Sequence, residues 1–288
     1  MTLQELVPST LRSWPLPHTE DASDKEDRGQ VLVVAGSREI PGAAILAATA
    51  ALRAGAGKLT IATVQSVAPG MALVMPEVRV MALPETPDGG LTADGAELLK
   101  GCAQGSSAVL MGPGLLDGPG SCEFVLALLR QLKSIPVILD ALAMDVLLGN
   151  PRFDQPVLLT PHTGEMAHLT GQSKDDILAD PAAAARDLAS RSQAVIALKG
   201  ATTVIVSPQG GEWQHVSSTP GLGTSGSGDV LAGIITGLAA RGTPLEQAAA
   251  WGVVLHALAG ARLAERNGRL GFLARELLVE IPMVMHGI

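Results

Sequence analysis

Short β-branched and aliphatic runs alternate along this chain with longer Ala/Leu-rich stretches, and that alternation carries most of the fold prediction. Apolar runs at 31–35, 58–63, 78–82, 108–111, 137–139, 157–159, 194–198 and 203–206 predict strands, with a further candidate at 213–216. Most lack the apolar–polar alternation of a half-exposed strand, so they are expected in a sheet covered on both faces. Helical periodicity predicts helices over 42–54, 122–133, 164–170, 182–191, 229–241, 244–266 and 274–286. Strand–helix order repeats as far as Val206, which predicts an α/β fold with a mostly parallel, doubly wound sheet and helices on both faces. No low-complexity linker or internal repeat divides the chain. The expected organisation is an N-terminal extension over 1–28 followed by one domain over 29–288.

Composition narrows the function classes. Hydrophobic residues make up 47% of the 288 and charged residues only 17%, so extensive burial or a subunit interface is expected. Net charge is −8, aromatics are 2% and Tyr is absent, so the basic face and stacking rings that nucleic acid requires are missing. Cys102 and Cys122 show no metal-ligand spacing and read as reduced thiols. The acidic, Pro-bearing N-terminus is no export signal, and the apolar stretch 42–52 is too short for a bilayer and ends at Arg53. A cytoplasmic protein with no membrane partner is expected.

In doubly wound sheets, ligands sit beyond the carboxyl ends of the strands. Five strand candidates run there into distinctive loops: Gly36-Ser37 with Pro41-Gly42-Ala43-Ala44, Gly112-Pro113-Gly114, Asp140, Thr160-Pro161-His162-Thr163-Gly164-Glu165, and Lys199-Gly200. The strongest feature is Gly226-Ser227-Gly228-Asp229, where a small-residue loop enters a helix with one carboxylate at the junction. Glycines turn backbone N–H groups toward a ligand and the helix N-terminus adds partial positive charge, which suits phosphate. Asp229 beside a bound phosphate could deprotonate an attacking hydroxyl; the plainer alternative is an Asp N-cap. The helix dipole would lower its pKa and phosphate would raise it.

The other candidates also carry two readings. Lys199 is either a solvated hairpin charge or, with the amides and hydroxyls of Gly200, Ala201, Thr202 and Thr203, a nucleotide site. His162 and Glu165 are either a ligand pair or a helix start, and Asp140 can serve merely as a cap. His168, His215, His256 and His286 show no ligand spacing and read as surface or core residues. Two apparent motifs fail on context. Gly221-x-Gly223-x-x-Gly226 has no strand before it, as the dinucleotide fingerprint requires, and Gly57-Lys58-Leu59-Thr60 lacks the upstream glycine of a P-loop.

Taken together, Ala35-Gly36-Ser37, Pro41-Gly42-Ala43-Ala44, Ala51 to Gly57, Met75-Pro76-Glu77, Gly112-Pro113-Gly114-Leu115, Ile138-Leu139-Asp140, Thr160 to Met166, Lys199 to Thr203 and Gly226 to Gly233 resemble the ADP-dependent NAD(P)H-hydrate dehydratases, a branch of the ribokinase-like superfamily. They follow the family's order across roughly 29–285. The resemblance implies a ribokinase-like fold and a repair enzyme that dehydrates S-NAD(P)H hydrate while ADP becomes AMP and phosphate, with Mg²⁺ and ADP as cosubstrate. It implies Asp229 as catalytic base, and Ala43, Gly114 and His162, with Asp229, as hydrate contacts. It places the nucleotide on Lys199, Gly200, Ala201, Thr202, Thr203 and Gly228, and an anion hole on the amides of Ser225, Gly226, Ser227 and Gly228. Asp140 and Glu165 are further candidates, and no residue is assigned to a metal. A homotetramer is implied, and with only 1–28 before the domain an epimerase is expected on a separate chain.

Departures from the family pattern are Ile40 for a Tyr, Leu142 in an Asp-Ala-Asp-Ala-Leu segment, Leu116 for a Gly, and the lead-in Thr219 to Thr224 for one that bears Asn. Only Asp140 can therefore carry a role from the Asp-Ala-Asp segment. The alternative within the superfamily is an ATP-dependent kinase of a small alcohol, such as a hydroxymethylpyrimidine or thiazole, which shares the Gly-Ser-Gly-Asp loop. A nucleotide-binding sensor without catalysis is the third reading, and the presence of Asp229 counts against it.

Overall fold

Ten strands form one sheet in the computed structural model, which describes residues 3–17, 24–116, 118–149 and 151–288. Residues 1–2 and 18–23 of the expected N-terminal extension lie outside the described residues. The strands are β1 (Gln4–Glu5), β2 (Gln30–Val34), β3 (Lys58–Val64), β4 (Arg79–Leu83), β5 (Ala108–Met111), β6 (Val137–Leu139), β7 (Val157–Leu159), β8 (Val195–Leu198), β9 (Thr202–Val206) and β10 (Glu212–Val216). Their order is β1-β10-β9-β8-β7-β6-β5-β2-β3-β4. Every pairing is parallel except the two made by β9. Only residues 199–201 separate β8 from β9, too few for a crossover helix, so β9 folds back as a hairpin.

The continuous apolar runs arise because both faces of the sheet are covered. Val31 and Val33 enter one core while Leu32 and Val34 enter the other. Ala108 and Leu110 alternate in the same way with Val109 and Met111, as does Ile138 with Val137 and Leu139. The expectation of a doubly wound sheet with helices on both faces is met. The sequence pattern missed the helices Pro8–Arg12, Ala68–Val74, Gly95–Leu98, Lys100–Gln104 and Lys174–Ala179, together with the 3₁₀ stretch Ala141–Leu148. Most of these are too short to show periodicity, and tertiary packing rather than propensity sustains such turns.

Two features position the site. Helix Ser227–Ala240 is buried along its length from Val230 to Ala240 and packs on helix Pro41–Arg53. A Cβ on Gly233 would lie 2.2 Å from the Ala47 carbonyl oxygen, and one on Gly237 would lie 2.4 Å from that of Ala51. These two glycines, one helical turn apart, let the backbones touch and hold the N-terminus of the second helix in register with the sheet. At the far edge β1 pairs with β10, Leu6 and Leu11 are fully buried, and Trp14 stacks on Trp213 at 5.5 Å. The Trp14 carbonyl accepts from Gln247 Nε2 at 2.9 Å and from Trp251 Nε1 at 2.8 Å. No helix among the described residues is long and apolar enough to cross a membrane.

Candidate active site

At the carboxyl ends of β7 and β8 and the amino end of β9 the chain opens into a cleft of about 680 Å³. His162, Lys199, Gly200, Ala201, Thr203, Ser227 and Gly228 line it, so the loop after β7, the β8–β9 turn and the helix Ser227–Ala240 N-terminus converge as the sequence pattern required. Thr202, Ser225, Gly226, Asp229, Asp140, Glu165, Ala43 and Gly114 are not among its lining residues.

Lys199 is no solvated hairpin charge. Its amide donates to the Pro161 carbonyl at 2.8 Å and its side chain is 18% exposed. The ammonium lies 2.9 Å from Asp140 Oδ1 and 3.9 Å from Glu165 Oε2. A Cβ on Gly228 would sit 3.3 Å from Nζ, which brings the ammonium against the first turn of helix Ser227–Ala240. Burial pulls the Lys199 pKa down, but the charges of Asp140 and Glu165 and the hydrogen bond to Asp140 outweigh it, and the net shift is upward. The ammonium therefore stays charged inside the fold. Asp140 is 2% exposed and forms no side-chain cap on the 3₁₀ stretch it precedes. Its Oδ1 instead accepts from Thr160 Oγ1 at 2.5 Å as well as from Lys199.

His162 does cap a helix. Its Nδ1 accepts from the Gly164 and Glu165 amides at 2.9 and 3.1 Å, while Glu165 Oε2 accepts from the His162 amide at 2.7 Å. With Nδ1 accepting both amides, Nε2 carries the ring proton at the cleft wall, 3.7 Å from Glu165 Oε1. The cap and the ligand reading are compatible here. Thr203 closes the β8–β9 turn, with its hydroxyl 3.3 Å from the Gly200 carbonyl oxygen.

The loop before helix Ser227–Ala240 has Gly226 as its cap residue at φ +87°, a backbone region open to glycine. Asp229 lies in the first turn and makes no cap bond, which removes the N-cap alternative. The Ser227 amide is committed to the Thr224 carbonyl at 3.2 Å, whereas a helix has no carbonyl of its own for the Gly228 and Asp229 amides. Burial raises the Asp229 carboxyl to about 7, the nearby Asp140 charge pushes the same way and Lys199 opposes both. Desolvation is thus the largest influence on this carboxyl in the ligand-free protein. A carboxylate titrating near neutrality suits proton abstraction.

Ala43 and Gly114 meet each other away from the cleft. Gly114 has φ +67°, and a Cβ there would fall 2.6 Å from the Ile40 carbonyl oxygen and 2.8 Å from Ala43 Cβ. A Cβ on Gly226 would fall 2.5 Å from Leu46 Cδ1. Ala43 and Leu46 stand three residues apart on helix Pro41–Arg53, so the Gly114 and Gly226 loops approach one face of that helix.

The sequence reading missed His215 and His256, which also line the cleft. His256 Nε2 and Ser227 Oγ lie 2.9 Å apart and share a hydrogen bond. Burial, with Lys199 adding to it, brings His256 down to about 4 against a hydrogen bond to the Ser227 backbone that raises it, so the ring is neutral at physiological pH. Spacing in sequence could not reveal this pair, because the partners stand on different helices.

A mostly parallel sheet whose helix N-terminus and buried ammonium face one cleft defines a protein of the ribokinase-like class. Comparison with known proteins narrows it: residues 31–283 match the NAD(P)H-hydrate dehydratase family, and the chain belongs to that family. It is 44% identical to the ADP-dependent (S)-NAD(P)H-hydrate dehydratase of Xanthomonas campestris pv. campestris, over 98% of this chain and 96% of that one. It spans 52% of the bifunctional NAD(P)H-hydrate repair enzyme of Moorella thermoacetica, at 40% identity over 95% of this chain. Among solved structures, it superposes on the ADP/ATP-dependent NAD(P)H-hydrate dehydratase of Bacillus subtilis, co-crystallised with ATP and Mg²⁺, with TM-score 0.85 and 32% identity over 100% of this chain and 99% of that one. A hydroxyethylthiazole kinase from Pyrococcus horikoshii OT3 shares the fold at TM-score 0.61 but only 16% identity, over 92% and 90% of the two chains. The small-alcohol kinase alternative therefore has likeness of fold alone behind it.

Proposed function

We propose that this chain repairs hydrated nicotinamide cofactors, converting S-NAD(P)H hydrate to NAD(P)H while ADP becomes AMP and phosphate. The residues 29–288 carry the activity. Asp229 takes the proton of the hydrate hydroxyl, whose oxygen attacks the terminal phosphorus of ADP and releases AMP. Phosphate then leaves the phosphorylated hydrate with its bonding electrons, a ring proton departs, and the double bond of NAD(P)H is restored. Phosphorylation turns a poor leaving group into a good one.

The nucleotide lies on Lys199, Gly200, Ala201, Thr202, Thr203 and Gly228. The amides of the loop Ser225 to Gly228 other than that of Ser227, which is held by Thr224, and the Lys199 ammonium meet the charge that develops on the moving phosphoryl group. His162 donates from Nε2 to the hydrate, which also contacts Ala43 and Gly114. Among the described residues no group of three His, Cys, Asp or Glu forms a metal site, and Asp140 already faces Lys199. Mg²⁺ bound with the nucleotide would supply charge neutralisation beside Lys199 and the Gly228 amide. A cytoplasmic homo-oligomer, a tetramer, working beside a separate epimerase completes the proposal.

One observation carries it: a carboxylate held near neutral pKa in the first turn of a helix whose N-terminus meets a buried, charged lysine. The test is incubation of the protein with NADH hydrate, Mg²⁺ and either ADP or ATP while the absorbance of restored NADH is followed. Recovery that needs ADP supports the assignment; no nucleotide-dependent recovery sinks it.

A further inference from the structure

Ser227 is 4% exposed, yet it lines the cleft one residue from Gly228 and two from Asp229. Its hydroxyl is 2.9 Å from His256 Nε2, on helix Leu245–Asn267. Leu231, Val253 and Ala257 make this corner apolar, so a polar group here needs its partners to come from the protein or the ligand. A neutral imidazole can either accept the serine proton or donate its own. The two choices have opposite consequences for an anion. If His256 accepted, the Ser227 O–H would point away from the cleft and its lone pairs would face the phosphate. If His256 donates, the serine proton is free to reach a phosphate oxygen.

We propose that His256 is a positioning residue that donates from Nε2–H to Ser227 Oγ, thereby aiming the Ser227 hydroxyl proton at the terminal phosphate of the bound nucleotide. The relay supplies the donor that the Ser227 amide, committed to Thr224, does not provide. The lowered His256 pKa fits this assignment, because a neutral ring keeps a single N–H that it can donate from Nε2. The inference rests on the nucleotide-binding part of the functional proposal and names a contact within it.

The experiment is a double-mutant cycle read as ADP and AMP affinity by titration calorimetry with Mg²⁺, on folded variants checked by thermal melting. His256→Leu is expected to weaken ADP about tenfold, the size of one hydrogen bond to a charged group, and to leave AMP nearly unchanged. His256→Gln keeps an N–H donor and should restore most of the loss. In a Ser227→Ala background, His256→Leu should cost nothing further. ¹⁵N shifts of the His256 ring should report the Nε2–H tautomer. Equal losses for ADP and AMP, a His256→Leu penalty that persists without the Ser227 hydroxyl, or an Nδ1–H tautomer would each overturn the relay. Absence of ADP binding by the unaltered protein overturns the nucleotide reading and the relay with it. ADP binding without hydrate turnover removes only the dehydratase assignment.

Discussion

The two sides of the candidate site are built by opposite means. Around β7 and β8 the work is done by side chains: Lys199, Asp140, Thr160, Glu165 and His162 form one connected set of hydrogen bonds and ion pairs. Around β2 and β5 it is done by the absence of side chains, with Gly36, Gly112 and Gly114 at positive φ and Ala43 packed beneath. A charged network fixes donors and acceptors, whereas close-packed glycines fix a shape. The first should fail electrostatically when altered and the second sterically. Asp229 stands where the two meet, and its neutral-range pKa requires both burial and the charges of the network.

That contrast can be broken in order of size. Asp229→Asn should lower turnover about 10³-fold while ADP still binds, measured by hydrate recovery and calorimetry. The same change should stabilise the fold above neutrality. The folded carboxyl holds its proton from 3.8 up to about 7, so its ionisation works against folding as pH rises through that window. Melting at pH 8 should therefore rise by about 2–4 °C in the variant. An unchanged or lower melting temperature would contradict the burial of this charge.

Lys199→Met leaves Asp140 buried without its cation and should cost about 3 kcal/mol or more in denaturant unfolding, with ADP binding lost. Adding Asp140→Asn should return part of the stability and none of the affinity. On the steric side, Gly114→Val is expected to cost about 1–3 kcal/mol, because its φ and the Ile40 carbonyl both oppose a Cβ. Its kinetic signature should be a higher KM for the hydrate with ADP affinity intact; a loss of ADP affinity instead would erase the distinction between the two sides.

Smaller effects sharpen the link between them. The rate should climb with pH through about 7 as Asp229 loses its proton, since the base works only when ionised. Asp140→Asn removes a like charge and should shift that limb to lower pH, which a pH–rate profile reads directly. Glu165→Gln weakens one half of the capping box and should cost about 0.5–1 kcal/mol, with at most a modest rise in KM through His162.

The strand runs, the long helices and the loops that carry chemistry were legible because each leaves a local mark: apolar continuity, period, or glycine density. The family resemblance added the roles that spacing alone could not assign. Elements outside that reach were those of few residues, such as β1 and the turn Lys174–Ala179, whose stability comes from what they touch. His256 was passed over for the same reason, because nothing near it in the chain marks it and Ser227 meets it from another helix.

The amino-acid sequence by itself determined a parallel sheet covered on both faces, a glycine-rich helix N-terminus at Gly226 to Asp229, and the set of residues gathered at one sheet edge. Those are consequences of local pattern and of the rule that doubly wound sheets bind ligands at their carboxyl ends. Tertiary structure alone decided which reading of each residue holds. Lys199 became a buried, charged anchor because Asp140 and Glu165 lie beside it, and Asp229 stands in the first turn rather than at the cap, with burial raising its carboxyl to about 7. Ionisation depends on neighbours and solvent within a few ångströms, and those are set only when distant segments meet.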